Sequence, residues 1–305
     1  VTDHLVDFPC LPWQIQGNHV DYVVEVDSIG DPTRIVSGTT QLTRSPDRMR
    51  IAEQVAQLID DAGIVRDGFS FQAGAGGIAL AFVGYLAERM RRKGVKAGFV
   101  RGGSTRYLVE LLEEGLTGCI LDGQTFDLDA VRSIATNPRH VATTPFTSYN
   151  HHGKGNFASM VDVVVLGATE VDLNFNANVV THSDGKLLHG IGGWQNCLFA
   201  GCTILAVPSF RDRVPVIVEE VTTLCGPGEL VDIVATERGI AIHPRRRDLF
   251  EALAGSDLPI RPLEEIRAEV VALCGEPARP KLADEPVAVI KWVDGTLIDT
   301  AWRVE

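Results

Sequence analysis

No apolar run in the chain reaches the roughly 18 residues that a membrane-spanning helix requires, and Asp3, His4 and Asp7 interrupt any apolar core of a secretory signal. Basic runs are also missing. With 28 Lys and Arg against 40 Asp and Glu, the formal net charge is -12, which argues against a nucleic-acid footprint. The six cysteines, Cys10, Cys119, Cys197, Cys202, Cys225 and Cys274, contain no CxxC pair. That removes the usual zinc and redox motifs and leaves reduced, mostly buried thiols in a cytoplasm as the expectation. The GxSxG elbow of serine hydrolases, the GK[ST] ending of a Walker loop and repeats of solenoid period are absent too. The first residue is Val1 rather than methionine, so the chain is expected to begin inside a longer protein.

What remains is a 305-residue chain, 45% hydrophobic, large enough to hold a core without disulfides. Residues 1 to 45 contain one candidate strand, VDYVVEVD, among turn residues. From Ser45 a helix is expected, with Ser45 as cap, Pro46 at its first position and Ile51, Val55, Leu58 and Ile59 at helical spacing. Three strand and helix units follow. Phe69 to Gln72 leads through AGAGG to a helix ending near Lys93. Ala97 to Val100 leads through RGGST to YLVELLEEG, and Gly118 to Leu121 leads to a helix near Asp127 to Ala135. This alternation predicts an α/β fold, an open and mostly parallel sheet with flanking helices. PFTSYNHHGKGNF is expected as a loop. Later strands are expected at Thr203 to Pro208, Val216 to Val221, Val231 to Ala235, Ile240 to Ile242 and Val287 to Val293. Helices are expected near Arg246 to Ala254 and Leu263 to Leu273, and SDG and DG mark turns. Arg245, Arg246 and Arg247 read as a solvated helix start.

The stretch Val161 to Asp172, VDVVVLGATEVD, organises the chain. Its valines form a strand covered on both faces, and Glu170 follows where open α/β sheets bind ligands, beyond a strand's carboxyl end. A carboxylate that only caps or pairs at a strand end is the alternative. AGAGG, with Gly74, Gly76 and Gly77, lies between strand and helix, where bare amides can approach an anion, although its spacing does not match GxGxxG. Close helix packing would explain the same glycines. GIGG, with Gly190, Gly192 and Gly193, is a second cluster. Two such loops and one carboxylate suit acyl transfer, with amides on a carbonyl oxygen. His151 and His152 lack a ligand-spaced partner, and His182, His189 and His243 read as ordinary surface or hydrogen-bonded residues.

Six segments, DYVVEVDSIGDPTRIVSGTTQLT, DGFSFQAGAGGIALA, LDGQTFDLDAVRSIATNPRH, VDVVVLGATEVDLNFNANVVTHSDG, GELVDIVATERGIAIHPRRRDL and VDGTLID, resemble in order the citrate lyase alpha chain family, the citrate CoA-transferase subunit of the CoA-transferase superfamily. The resemblance implies that residues 1–45 end a preceding CoA-transferase domain and linker, and that residues 46–305 form the C-terminal CoA-transferase domain. It implies exchange of acetyl for citrate on a carrier-protein or CoA thioester, releasing acetate. The implied partners are citrate lyase beta (lyase) and gamma (acyl carrier) subunits, in an oligomer that uses neither nucleic acid nor membrane. The implied cofactor is CoA or a CoA-derived phosphopantetheine-type group on the carrier, with no metal of the chain's own. An ExD segment followed by NxN matches Glu170, Asp172, Asn176 and Asn178. Glu170 is the expected catalytic carboxylate, as nucleophile or as an orienting group, since the family is assigned a mixed-anhydride route. Gly74, Gly76, Gly77, Gly190, Gly192 and Gly193 are the expected cofactor contacts, and Gln72 and Asn178 the substrate contacts. Where the family carries GGHxDTA, this chain reads GGWQNCL, with Trp194 and Asn196 replacing groups that titrate. A diverged short-chain acyl-CoA transferase or hydrolase, or a non-catalytic scaffold of a lyase complex, are the other readings.

Overall fold

A computed structural model describes residues 17–31, 40–150 and 156–305. His151, His152 and Cys10 lie outside the described residues. The first half runs α1 (Pro46–Asp61), β1 (Ser70–Ala73), α2 (Gly77–Lys93), β2 (Phe99–Ser104), α3 (Arg106–Glu113), β3 (Ile120–Thr125), α4 (Leu128–Thr136), β4 (His140–Ala142), α5 (Pro145–Tyr149) and β5 (Val163–Leu166). Next come β6 (Glu170–Asp172), β7 (Ala177–Asn178), α6 (Trp194–Cys197), β8 (Cys202–Ala206), β9 (Phe210–Arg211), β10 (Val214–Pro215) and β11 (Ile217–Val218). The chain closes with β12 (Ile233–Thr236), β13 (Gly239–Ile242), α7 (Arg247–Ala252), α8 (Leu263–Cys274) and the hairpin of β14 (Leu282–Lys291) and β15 (Leu297–Val304).

Eight strands form the main sheet in the order β13-β12-β8-β5-β1-β2-β3-β4. Every pairing is parallel except β12 with β13. The expected α/β architecture is present. From β1 the chain steps outward through β2, β3 and β4, then returns to lay β5 on the other side of β1. The connections therefore diverge at the carboxyl ends of β1 and β5, a topological switch point of the kind that opens a crevice in such sheets.

Alternation along β5 explains why the sheet is buried on both faces. Val163 and Val165 join one core with Phe69, Phe71, Phe82, Leu86 and Ile51, whereas Val164 and Leu166 join the other with Leu205, Val234 and Ile266. Helix ends follow local chemistry. Pro46 opens α1 beside Ser45, whose side chain makes no capping bond. Gly94 closes α2 in the left-handed conformation at φ 68°, and the Asp127 side chain accepts the Ala130 N–H to cap α4.

Several expectations are corrected. VDYVVEVD is exposed and forms no strand; its alternation meets no neighbouring strand among the described residues, and an unpaired strand has no ladder to hold it. RGGS is not a turn but the second half of β2. Helix α5 takes up the first five residues of the expected loop, nucleated by a capping box between Thr144 and Thr147, and residues 151–155 of that loop lie outside the described residues. Glu170 opens a strand of its own, β6, in a separate sheet ordered β11-β6-β7. Arg245 and Arg246 are not merely solvated, because both pair with buried Asp232.

Candidate active site

At the switch point the AGAGG turn leaves β1, and the Gly74 N–H donates to Val165 O on β5 at 3.1 Å. That amide is already committed. Gly76 and Gly77 begin α2, and their N–H groups have no acceptor among the described hydrogen bonds. A cavity of about 610 Å³, lined by residues 41–45, Arg48 and Gly77, opens beside the turn. Segment 41–43 lies so close that a Cβ on Gly77 would stand 3.0 Å from Gln41 O and Thr43 N.

The second glycine loop folds onto the same edge. Trp194 Nε1 donates to Gly167 O just after β5, at 2.9 Å. Gly226 makes room for the indole, since a Cβ there would be 2.4 Å from it. Asn196 Nδ2 donates to Tyr149 O at 3.0 Å, and a Cβ on Gly193 would come within 2.6 Å of the Tyr149 ring. Trp194 and Asn196 thus tie GIGGW to the end of β5 and to α5.

Between the loops lies a buried polar group. Gln72 and Arg101 are register partners on β1 and β2, so their side chains share a face, and Arg101 Nη1 donates to Gln72 Oε1 at 2.8 Å. Gln72 Nε2 in turn donates to Cys197 Sγ, and the thiol donates to Gly193 O at 3.2 Å. The Tyr149 ring covers Arg101, its centroid 5.0 Å from Cζ. Burial pushes the Tyr149 hydroxyl above its ordinary pKa, with nearby Cys197 adding to the rise and the Arg101 charge opposing it. Burial likewise raises the Cys197 thiol, again opposed by Arg101. Helix α5 is itself anchored: Thr143 N and Oγ1 both donate to Asp122 O, and Thr143 Oγ1 also pairs with Ser148 Oγ.

Glu170 has different neighbours. Its carboxylate is 2% exposed and accepts from Asn178 Nδ2 at 2.9 Å, Thr222 N at 2.7 Å and Thr222 Oγ1 at 3.0 Å. None of these donors comes from a glycine loop. Asn178 also accepts from the amides of Val180 and Thr181. Asp172 binds the amides of Asn174 and Asn176 and the Asn176 side chain, which holds Phe175 at a φ of 63°. Burial raises the Asp172 pKa despite those bonds. The ExD and NxN residues together build the β6–β7 hairpin.

Of the expected site residues, Gln72 lies on β1 just before the first glycine loop, Gly74, Gly76, Gly77, Gly190, Gly192 and Gly193 belong to the two loops, and Glu170 and Asn178 bond to each other in the adjoining sheet. Sequence reading missed Arg101 and Tyr149. A basic residue inside the apolar run GFVRGG was the available signal. His243, whose pKa burial lowers, lines a larger cleft of about 910 Å³ with Phe175, Phe250 and Arg261. Among the described residues no group of three or more His, Cys, Asp or Glu could hold a metal ion, and no helix is long and apolar enough to cross a membrane.

The open, mostly parallel sheet with flanking helices makes this an α/β protein of the fold seen in CoA-transferases. A 4-hydroxybutyrate CoA-transferase from Porphyromonas gingivalis has the same fold at TM-score 0.50, with 20% identity over 76% of this chain and 57% of that one. The family model for the citrate lyase alpha subunit matches residues 1–304, and the chain belongs to that family. It is 39% identical over 306 residues to a citrate lyase alpha chain of Haemophilus influenzae, covering 100% of this chain and 61% of the relative. A Streptococcus mutans structure described as the alpha subunit of citrate lyase in complex with citrate superposes at TM-score 0.91, with 39% identity over 99% of this chain and 60% of that one. The chain therefore spans about 60% of the length of the relatives it matches.

Proposed function

We propose that the chain performs acyl exchange as part of a citrate lyase alpha chain: acetyl on a carrier-protein or CoA thioester is replaced by citrate, and acetate leaves. One observation carries this reading. The AGAGG turn, whose Gly76 and Gly77 amides have no acceptor among the described hydrogen bonds, leaves β1, and the GIGG loop is tied through Trp194 and Gly167 to the end of β5, with the buried Gln72, Arg101 and Cys197 side chains alongside. Amides so arranged suit the oxyanion that forms when a carboxylate attacks a thioester carbonyl. A citrate carboxylate oxygen bonds to the acetyl carbon as the C–S bond breaks, giving a mixed anhydride and a thiolate. The thiolate then attacks the citryl carbonyl and acetate departs.

In this route the substrate supplies the nucleophile, which fits the full hydrogen bonding of Glu170. That carboxylate acts by fixing the 222 turn and β7 rather than by attack. The thiol belongs to a CoA-derived phosphopantetheine-type arm on a partner carrier, and Arg44 and Arg48, beside the cavity at Gly77, offer its phosphates cations. Beta and gamma subunits and a cytoplasmic setting complete the proposal, as does an N-terminal CoA-transferase domain ahead of residues 46–305. The test is incubation of the intact protein with acetyl-CoA or acetylated carrier and isotopically labelled citrate. Acetate release with label on the thioester is expected. Release with a different acid alone would support a diverged CoA-transferase, and binding of partner subunits without any exchange would support a scaffold.

A further inference from the structure

Arg101 is 1% exposed, and among the described residues no carboxylate pairs with it. Its Nη1 is used by Gln72, whereas Nε and Nη2 are sealed from solvent and have no hydrogen-bond acceptor among the described residues. Those two N–H groups form the side edge of the guanidinium, where parallel donors match both oxygens of one carboxylate. A buried charge without an anion is costly, and chains rarely keep one for packing alone. Its surroundings belong to the switch point. Gln72 precedes the first glycine loop, Tyr149 is stacked on the second at Gly193, and Gly102, at φ +108°, approaches the Gln72 side chain so closely that a Cβ would be 3.1 Å from it.

We propose that Arg101 is the specificity-determining residue of the acid subsite: its Nε and Nη2 take a carboxylate of the acid substrate other than the one that becomes acylated. The inference rests on the proposed acyl exchange. Two demands follow from it. The acid must carry at least two carboxylates, so citrate is selected over acetate. The Tyr149 ring must also turn aside to admit the acid, because the donors are closed off while it covers the guanidinium.

The experiment compares the wild type with Arg101→Met and Arg101→Lys by calorimetric titration and melting, using citrate, tricarballylate, succinate and acetate as probes. Without acid, Arg101→Met is expected to melt at or above the wild-type temperature, since an apolar isostere relieves an unpaired charge. Citrate affinity should fall about 100-fold or more in Arg101→Met, the loss seen when one partner of a buried charge pair is removed. Arg101→Lys keeps the charge but not the fork and should fall between the two. The wild type should bind acids with two or three carboxylates more tightly than acetate. A clear drop in melting temperature of acid-free Arg101→Met, with citrate affinity unchanged, would show a packing role and overturn the proposal. So would a wild type that binds none of the four acids. If succinate but not citrate binds, and Arg101→Met abolishes it, the subsite stands while the citrate reading fails.

Discussion

Exchanging Glu170 for glutamine separates two roles for this carboxylate. Oε2 accepts from Asn178 Nδ2 and Thr222 N, and Oε1 accepts from Thr222 Oγ1. A glutamine can place its carbonyl oxygen at the Oε2 position and its NH2 at the Oε1 position, where the Thr222 hydroxyl rotates to accept. All three bonds survive but lose charge assistance. Since hydrogen bonds to ionised groups contribute about 1.5–3 kcal/mol and neutral ones about 0.5–1.5, and burying a neutral amide costs less than burying a charge, the net loss should be about 1–2 kcal/mol. At roughly 2–4 °C per kcal/mol the melting temperature falls by several degrees. Exchange of acetyl for citrate, read as acetate release at temperatures well below melting, should stay within about tenfold of wild type, since no transition-state group has been removed. Glu170→Ala leaves the Thr222 amide without its acceptor and opens a cavity, at a cost of about 3–5 kcal/mol. A well-folded Glu170→Gln protein that loses exchange by several orders of magnitude would refute this reasoning and make Glu170 a reacting group.

Gly193→Ala forces a methyl to within 2.6 Å of the Tyr149 ring, an overpacking worth about 1–3 kcal/mol. It should depress exchange more than Gly84→Ala, where the new methyl meets nothing within 4 Å; equal rates would contradict the contact. Asp172, raised by burial above its ordinary 3.8, holds its proton more tightly folded than unfolded. Its contribution to stability is fully present below 3.8 and is lost as pH rises through the folded value. The melting temperature of the wild type relative to Asp172→Asn should therefore fall as pH climbs from below 3.8, and a flat or rising difference refutes it. The Cys202 thiol is pushed up to about 12 by burial, with Asp232 adding to the shift. Alkylation of native protein at about pH 8 should reach half-exposed Cys119 and Cys274 before Cys197, Cys202 or Cys225; early labelling of Cys202 would contradict its packing.

Much of the fold was legible because strands and helices here differ sharply in period. Val163 to Leu166 reads as a doubly buried strand, and Ile51, Val55, Leu58 and Ile59 as one helix face, and both are core in the structure. Non-local pairing decided the rest. VDYVVEVD has strand composition, but a strand needs a neighbour. RGGS looks like a turn, yet β3 pairs with it across a register shift at Gly102 and Gly103. The glycine loops could be named from sequence as candidate sites. That they flank one edge depends on β5 returning beside β1, which no local pattern states. Arg101 was overlooked because its meaning lies in its register partner Gln72 and in Tyr149, 48 positions along the chain by the numbering. Glu170 stood out for the opposite reason: a carboxylate after a buried strand is conspicuous, while the donors that occupy it come from Asn178 and Thr222.

The most direct measurement is a crystal structure of the intact protein grown with citrate. Citrate should lie at the β1/β5 switch point, one carboxylate on Arg101 Nε and Nη2 and another facing the glycine loops, with the Tyr149 ring displaced. Citrate bound instead in the cleft of Phe175, His243 and Arg261, with Arg101 still sealed beneath Tyr149, would contradict the account.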